Sequence, residues 1–271
     1  MTNHLRVATW NVNSVRKRLD GLRELVAALA PDILCLQELK ANDDALPWDA
    51  LSSLGLPHAA WRAMKGYNGV MILSRWPIAE GETPRFGGRD DARVVDAIVD
   101  APGYDGGLAV DSVYVPAGGD VPDAAANPKF DHKLGFLADM AAWAAGIDQN
   151  RPRVLVGDLN VAPLDCDVWS HKQLLNVVSH TPVETDAFAR AQAAGGFVDA
   201  TRKTTPAPTR LFSWWSYRAR DWAKSDRGRR LDHIWLSPGC ADRLMRSEVL
   251  KEVRGWPEPS DHAPVWADLR R

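Results

Sequence analysis

Two short apolar runs that break off into charge constrain this chain more than any other feature. Ile33-Leu34-Cys35-Leu36 passes through Gln37 into Glu38, and Val154-Leu155-Val156 passes through Gly157 into Asp158. A continuous run of this length marks a strand buried on both faces, since a half-wet strand alternates apolar with polar. Such strands need helices over them. Arg16 to Leu29 supplies one, with Leu19, Leu22, Leu25, Val26 and Leu29 on one side and Pro31 ending it. Pro128 to Trp143 supplies another. Further strands are expected at Leu5–Trp10, Val70–Leu73, Val94–Val99, Leu108–Val115, Ile234–Leu236 and Val265–Leu269, whereas 161–230 is polar and mixed. The fold class is therefore α/β, with sheets inside and helices outside.

Arg6-Val7-Ala8-Thr9-Trp10-Asn11-Val12-Asn13 echoes Arg153-Val154-Leu155-Val156-Gly157-Asp158-Leu159-Asn160. Both are buried strands that deliver amides or carboxylates at their C-terminal ends. The echo fits two related halves facing one site, and it also fits coincidence. No linker or low-complexity stretch divides the 271 residues, so residues 1–271 are expected to form one domain. The net charge of −2, from 33 Lys and Arg against 35 Asp and Glu, argues by itself against a strongly basic nucleic-acid protein. Cys35, Cys166 and Cys240 are too few and too scattered for a disulfide framework or a CxxC metal site. No basic-then-apolar leader opens the chain, and no apolar run approaches the ~20 residues of a membrane span. A reducing cytoplasm is the expected compartment.

Polar residues at strand ends carry the candidate chemistry, because α/β folds build sites there. Asn11 closes the first strand, Glu38 the second, and Asp158 and Asn160 follow a third. Asp232-His233 opens the strand Ile234-Trp235-Leu236, and Asp261-His262 precedes Val265-Trp266. Carboxylates, amides and an imidazole without cysteine suit Mg²⁺ or Mn²⁺ better than Zn²⁺. Each residue alone reads as a turn former, a cap or a satisfied core group. Their number in one chain is what favours a site.

The same positions fall within eight motifs. These are Thr9-Trp10-Asn11-Val12-Asn13-Ser14, Leu36-Gln37-Glu38-Leu39-Lys40, Gly66-Tyr67-Asn68-Gly69-Val70 with Leu73-Ser74-Arg75, and Val113-Tyr114-Val115-Pro116. Then come Gly157-Asp158-Leu159-Asn160-Val161-Ala162-Pro163, Phe212-Ser213-Trp214-Trp215, Arg230-Leu231-Asp232-His233 and Ser260-Asp261-His262-Ala263-Pro264-Val265. In this order they resemble the exonuclease III family of abasic-site endonucleases, within the endonuclease/exonuclease/phosphatase superfamily. The resemblance implies a DNase I-like four-layer sandwich of two packed mixed β-sheets flanked by helices. It implies Mg²⁺-dependent hydrolysis of DNA 5′ to abasic sites, with 3′→5′ exonuclease and 3′-phosphatase action on duplexes with recessed or blocked 3′ ends. Glu38 would be the main metal ligand with Asn11 beside it, and Asp158, Asn160, Asp261 and His262 complete the expected metal set. Asp158 would position or deprotonate the attacking water. Asn160 would hold the phosphate, Tyr114 would contact it or the leaving group, His262 would pair with Asp261, and Asp232 would be a further catalytic acid. Which of Asp158 and His262 takes the proton, and whether one metal or two act, stay open.

The segment 202–230 then reads as the substrate binder. It holds nine Lys and Arg against Asp221 and Asp226, so it carries +7 while the remainder carries −9. Trp214, Trp215, Tyr217 and Trp222 are interleaved with those cations, as phosphate contact plus stacking requires. The expected DNA-contacting set is Arg93, Trp214, Trp215, Tyr217, Arg218, Arg220, Arg229 and Leu231, with Trp214 and Leu231 walling a pocket for a flipped abasic sugar by family analogy. Trp10, Trp235 and Trp266 are assigned to the core. Three positions depart from the family pattern: Ala117-Gly118-Gly119 offers only backbone where relatives place Asn or Gln, Arg229 replaces an apolar wall, and Ser216 replaces an acid or Thr. These put the balance of incision and exonuclease action in doubt. The competing readings are an exonuclease-dominant enzyme, a superfamily phosphoesterase acting on a lipid headgroup or inositol phosphate, and a non-catalytic DNA-binding module. The enzyme is expected to act as a monomer.

Overall fold

The computed structural model describes residues 3–219 and 221–271. Its strands are β1 (His4–Asn11), β2 (Ile33–Gln37), β3 (His58–Arg62), β4 (Val70–Ser74), β5 (Ile78–Glu80), β6 (Val94–Val99) and β7 (Leu108–Tyr114). They continue with β8 (Arg153–Asp158), β9 (Val198–Asp199), β10 (Trp214–Trp215), β11 (Gly228–Arg229), β12 (Asp232–Leu236), β13 (Leu244–Val249) and β14 (Val265–Arg270). Among the described residues they build two six-stranded mixed sheets, ordered β13-β14-β1-β2-β4-β3 and β5-β6-β7-β8-β12-β9, and a β10-β11 ribbon.

Side-chain alternation separates the layers. Val7, Ile33, Cys35 and Val265 share one core with Val110, Val154, Val156 and Ile234 of the other sheet, so these faces pack on each other. The opposite residues of the first sheet, including Trp10, Leu34, Leu36 and Trp266, pack under Leu22 and Leu25 of the helix Leu19–Leu29. Leu155 and Trp235 of the second sheet pack under Phe136 and Met140 of the helix Pro128–Gly146 and Phe188 of the helix Pro182–Ala194. The result is the four-layer arrangement of helix, sheet, sheet and helix that the resemblance implies. Trp10, Trp235 and Trp266 are buried in it, as is Cys35.

The sequence echo has a topological counterpart. β1 runs parallel to β2 and antiparallel to β14, while β8 runs parallel to β7 and antiparallel to β12. The two echoing strands thus hold equivalent central places in the two sheets, and their C-terminal ends reach one site. Gly157 makes the second possible. At φ +145° a Cβ there would lie 1.9 Å from the Val113 carbonyl oxygen, so a larger residue would part β8 from β7 beside Asp158.

Strands β3, β5 and β13 have no counterpart among the expected elements, and two further places differ. The helix placed over Arg16 to Leu29 divides at Arg18 into a 3₁₀ turn, Val15–Lys17, and the helix Leu19–Leu29. The region 161–230 contains the helix Pro182–Ala194, whose buried face is mainly Ala187, Phe188 and Ala191 and so gives little apolar periodicity. Its start was nonetheless written in Thr181-Pro182-Val183-Glu184, with proline at the first turn and a capping box joining Thr181 and Glu184.

Glu184 does more than cap. Fully buried, it accepts hydrogen bonds from Ser179 N and Thr181 Oγ1 and pairs with the equally buried Lys133, which also donates to the Asn160 carbonyl at 2.7 Å. The helix Pro128–Gly146 is thereby tied to the loop after β8. Replacing Lys133 with Met leaves the Glu184 carboxylate without its counter-charge, and it should cost about 3–5 kcal/mol in urea unfolding. A loss under about 1 kcal/mol, the range of an exposed pair, would show the pair to be idle.

Candidate active site

Four strand ends and one pre-strand loop meet at the same edge of the sandwich. Asn11 ends β1, Glu38 follows β2, Tyr114 and Asp158 end β7 and β8, and His262 precedes β14. Glu38 and Asn160 sit in the left-handed region at φ 57° and 52°, uncommon for Glu and readily adopted by Asn, which turns each chain as it leaves its strand.

Asn11 is the hub. Its side-chain nitrogen donates to Glu38 Oε1 and to Asp158 Oδ2, both at 2.9 Å, so one amide joins the ends of the two sheets. Its oxygen accepts from the Asn13 backbone N–H at 3.0 Å, and since that group can only donate, the orientation of the amide is set. Asn11 was expected as a metal ligand. In this structure its oxygen faces Asn13 and its nitrogen faces the carboxylates, so the amide braces the acids. Glu38 also accepts from Tyr114 OH at 2.8 Å and pairs with Lys40 at 2.6 Å. Burial pushes the Glu38 carboxyl up, but the bonds from Asn11 and Lys40 outweigh it and hold its pKa below the usual value. The Tyr114 phenol is driven well above its ordinary pKa by burial and by Glu38 and Asp158, so it stays protonated.

A second group lies beside the first. His262 Nδ1 is 2.9 Å from Asp232 Oδ2, and His262 Nε2 is 3.6 Å from Asp158 Oδ2. The expected His262–Asp261 pairing is replaced by these two. Asp261 instead accepts from Asn13 Nδ2 and Trp214 Nε1, each at 3.0 Å, which leaves its carboxylate turned from the imidazole. Asp232, expected as a further catalytic acid, faces His262 and accepts from Ser213 Oγ at 2.7 Å, an arrangement that orients the ring. Burial lowers the His262 pKa, but Asp232 and Asp158 outweigh it and raise it well above the ordinary value. Asp158 is pushed up to about 7, by burial first and then by Asp232 and Glu38 against the opposing pull of His262. Asn160 donates from its backbone to Asp158 Oδ1 and from its amide to the Val115 carbonyl at 2.9 Å.

Glu38, Tyr114, Asp158, Asn160, Asp261 and His262 border a cavity of about 730 Å³, which also meets Trp214, Arg218, Arg229 and Leu231. The other expected DNA contacts divide. Trp215 is only 1% exposed and packs on Phe212 and Trp222, so its ring belongs to the core. Trp222 is half-buried against it. Tyr217 is exposed and its hydroxyl donates to the Pro259 carbonyl. Arg93 is held by Asp91 and lies over the Tyr114 ring, so it supports the site from behind. Arg220 lies outside the described residues. The +7 of segment 202–230 is also partly internal: Arg230 is buried between Asp167 and Asp199, and Arg202 also pairs with Asp167. Asn13, Lys40 and Ser213 lay inside the quoted motifs without an assigned task, and their signal was position next to an acid-bearing strand end.

An α/β sandwich with carboxylates, amides and an imidazole gathered at the shared edge of its two sheets defines the class, and comparison with known proteins gives the family. The model of the Endonuclease/Exonuclease/phosphatase family matches residues 8–262, and the chain belongs to that family. It is 30% identical to exodeoxyribonuclease III of Haemophilus influenzae over 98% of this chain and all of that protein. An AP endonuclease of Archaeoglobus fulgidus superposes with a TM-score of 0.87 at 29% identity, covering 98% of this chain and 100% of that one. A Neisseria 3′ phosphatase bound to a product DNA hairpin superposes equally well at 33% identity, covering 98% and 99%. The protein is thus a hydrolase of the exonuclease III type, a DNA repair nuclease.

Asp232 supplies the largest upward pull on the His262 imidazole. Asp232→Asn should therefore lower the His262 pKa, so that the ring loses its second proton at lower pH. Ring ¹⁵N shifts recorded across pH read this directly, and an unchanged titration would show that Asp232 does not hold the charge.

Proposed function

We propose that the chain hydrolyses duplex DNA 5′ to abasic sites and removes nucleotides or phosphate from 3′ ends, acting as a single-domain monomer in the cytoplasm. The observation that carries this reading is the Asp158–His262–Asp232 group set opposite Glu38 on one cavity, with Arg218, Arg229 and Trp214 on the cavity's other wall. The donor chemistry fits a hard divalent ion. Glu38, Asp158 and Asp261 present carboxylates to one cavity without a cysteine, and Glu38 is kept ionised. Mg²⁺ is the ion proposed, with Mn²⁺ as its substitute, and Glu38 its principal ligand. When bound, such an ion polarises phosphoryl oxygens and steadies charge on them.

The chain's own residues do the rest. Asp158, with a pKa near 7, is suited to take a proton from water at neutral pH. His262, held as a cation by Asp232, faces the same space and stabilises negative charge that develops on the phosphate. The protonated Tyr114 hydroxyl, now on Glu38, is placed to donate to a phosphate or leaving oxygen. Asn11 and Asn160 fix the two carboxylates so that neither must reorganise as charge moves. An exonuclease-weighted balance is the second reading, and Arg229 favours it. Its guanidinium lies over the Trp214 ring and donates to the Val178 carbonyl and Ser179 Oγ, which puts a cation where an abasic sugar needs an apolar wall.

One set of oligonucleotides tests both readings. A duplex with a tetrahydrofuran abasic analogue should be cut on its 5′ side with Mg²⁺ and not with EDTA, while a recessed 3′ end should be shortened. Glu38→Ala and Asp158→Asn should abolish both reactions and largely spare DNA binding. Absence of Mg²⁺-dependent cutting at the analogue would overturn the abasic-site assignment, and shortening without incision would establish the second reading. Arg218 is exposed at the cavity rim. Arg218→Ala should flatten the dependence of log K on log salt by about 0.9 if it meets one phosphate. An unchanged slope would place it in solvent.

A further inference from the structure

Behind the cavity wall, Asp165, His171 and His180 each bring one ligand-type atom within 4.8 Å of the others. His171 Nδ1 is 2.9 Å from His180 Nε2 and 3.0 Å from Asp165 Oδ1. His180 is buried, and its other ring nitrogen, Nδ1, lies 2.6 Å from the Ala162 carbonyl oxygen. A carbonyl only accepts, so Nδ1 carries the hydrogen and Nε2 presents a bare lone pair to the cluster. A backbone carbonyl that fixes tautomer and ring direction is how ligating imidazoles are commonly held. On the opposite side the cluster opens to solvent, because Asp165 is exposed and His171 partly so. One preset buried donor thus faces two reachable ones.

We propose that Asp165, His171 and His180 form a second metal site, which takes a zinc-class ion such as Zn²⁺ or Co²⁺. Two imidazoles and one carboxylate are a borderline donor set that prefers these ions to Mg²⁺, in contrast to the carboxylates around Glu38. The present separations are those of hydrogen bonds, with the His171 Nδ1 hydrogen between the three atoms. Bonds of about 2.0–2.1 Å to a tetrahedral ion space its ligands roughly 3.3 Å apart, so the cluster opens by a few tenths of an ångström. The ion takes the place of that hydrogen as neutral His171 exchanges through solvent to its Nε2–H tautomer, so no net proton is released, and water fills the fourth position. Asp165 lies in a single 3₁₀ turn and His171 in a four-residue helix, which leaves both able to make the shift.

The location gives the site a structural consequence. Ala162 N donates to the Ser179 carbonyl at 2.7 Å, Ser179 Oγ receives Arg229, and Val178 and Ser179 border the cavity. An ion at this cluster would cross-link the segment that forms that wall, without touching Glu38 or Asp158.

The proposal is tested by adding Zn²⁺ or Mg²⁺ to metal-stripped protein and following the imidazole nitrogens by NMR. The ring signals of His171 and His180 should move at micromolar Zn²⁺ and stay in place at millimolar Mg²⁺. Zn²⁺ stoichiometry should fall by one in His171→Ala and in Asp165→Asn, and the Zn²⁺-dependent rise in melting temperature should vanish with it. Both substitutions are on the solvent side, so folding is preserved where His180→Ala could lose it. Ring signals indifferent to Zn²⁺, or equal stoichiometry in wild type and His171→Ala, would overturn the site. None of these readouts involves DNA cleavage, so they stand or fall independently of the reaction proposed above.

Discussion

The site depends on one amide. Asn11 holds Glu38 from the first sheet and Asp158 from the second through the same nitrogen, and Asn13 fixes which way that amide faces. Two carboxylates set this close would repel and swing apart if left to themselves. The bridging donor makes their proximity stable and costs nothing when charge changes nearby. Because it joins the two sheets, the geometry of the site is also the geometry of the sandwich: any slip between sheets would be felt first as a broken Asn11 bond.

Around that amide the protein arranges unlike pKa values. Glu38 is kept below the ordinary value by Asn11 and Lys40, whereas Asp158, buried and crowded by Asp232 and Glu38, is pushed up to about 7. The same chemical group is thus held as an anion in one place and poised to titrate near neutral pH in another, a few ångströms away. His262 completes the contrast as a buried cation between two carboxylates. Environments that drive titratable groups apart in this way are characteristic of acid–base catalysis.

Much of this was legible in the sequence because buried strands announce themselves. The runs Ile33–Leu36 and Val154–Val156 are apolar throughout for the reason seen in the structure: each lies between a second sheet and a helix. The strand-end residues were legible for the same reason, since a polar residue directly after such a run must leave the core. What one dimension hid were partners distant in the chain. Asp261 is adjacent to His262 in sequence, but adjacent residues at a strand entrance point apart, and the ring turns to Asp232 thirty positions away. Likewise the tryptophans of 214–222 look equivalent as letters, yet Trp214 reaches the cavity while Trp215 faces the core, as alternation along β10 dictates. Arg230 and Arg202 read as part of a basic surface, but their buried aspartate partners come from elsewhere in the chain.

β1 and β14 lie side by side in the middle of the first sheet, with His4 opposite Arg270. Asn11 ends one and His262 precedes the other, so two strands far apart in the sequence frame the same chemistry. Without β14 the first sheet lacks part of its interior, not an edge, and cannot close by local pairing. The groups of the site therefore come together only once β1 and β14 have paired. For a DNA repair nuclease, this topology makes the assembled site a readout of long-range sheet closure rather than of any one local element.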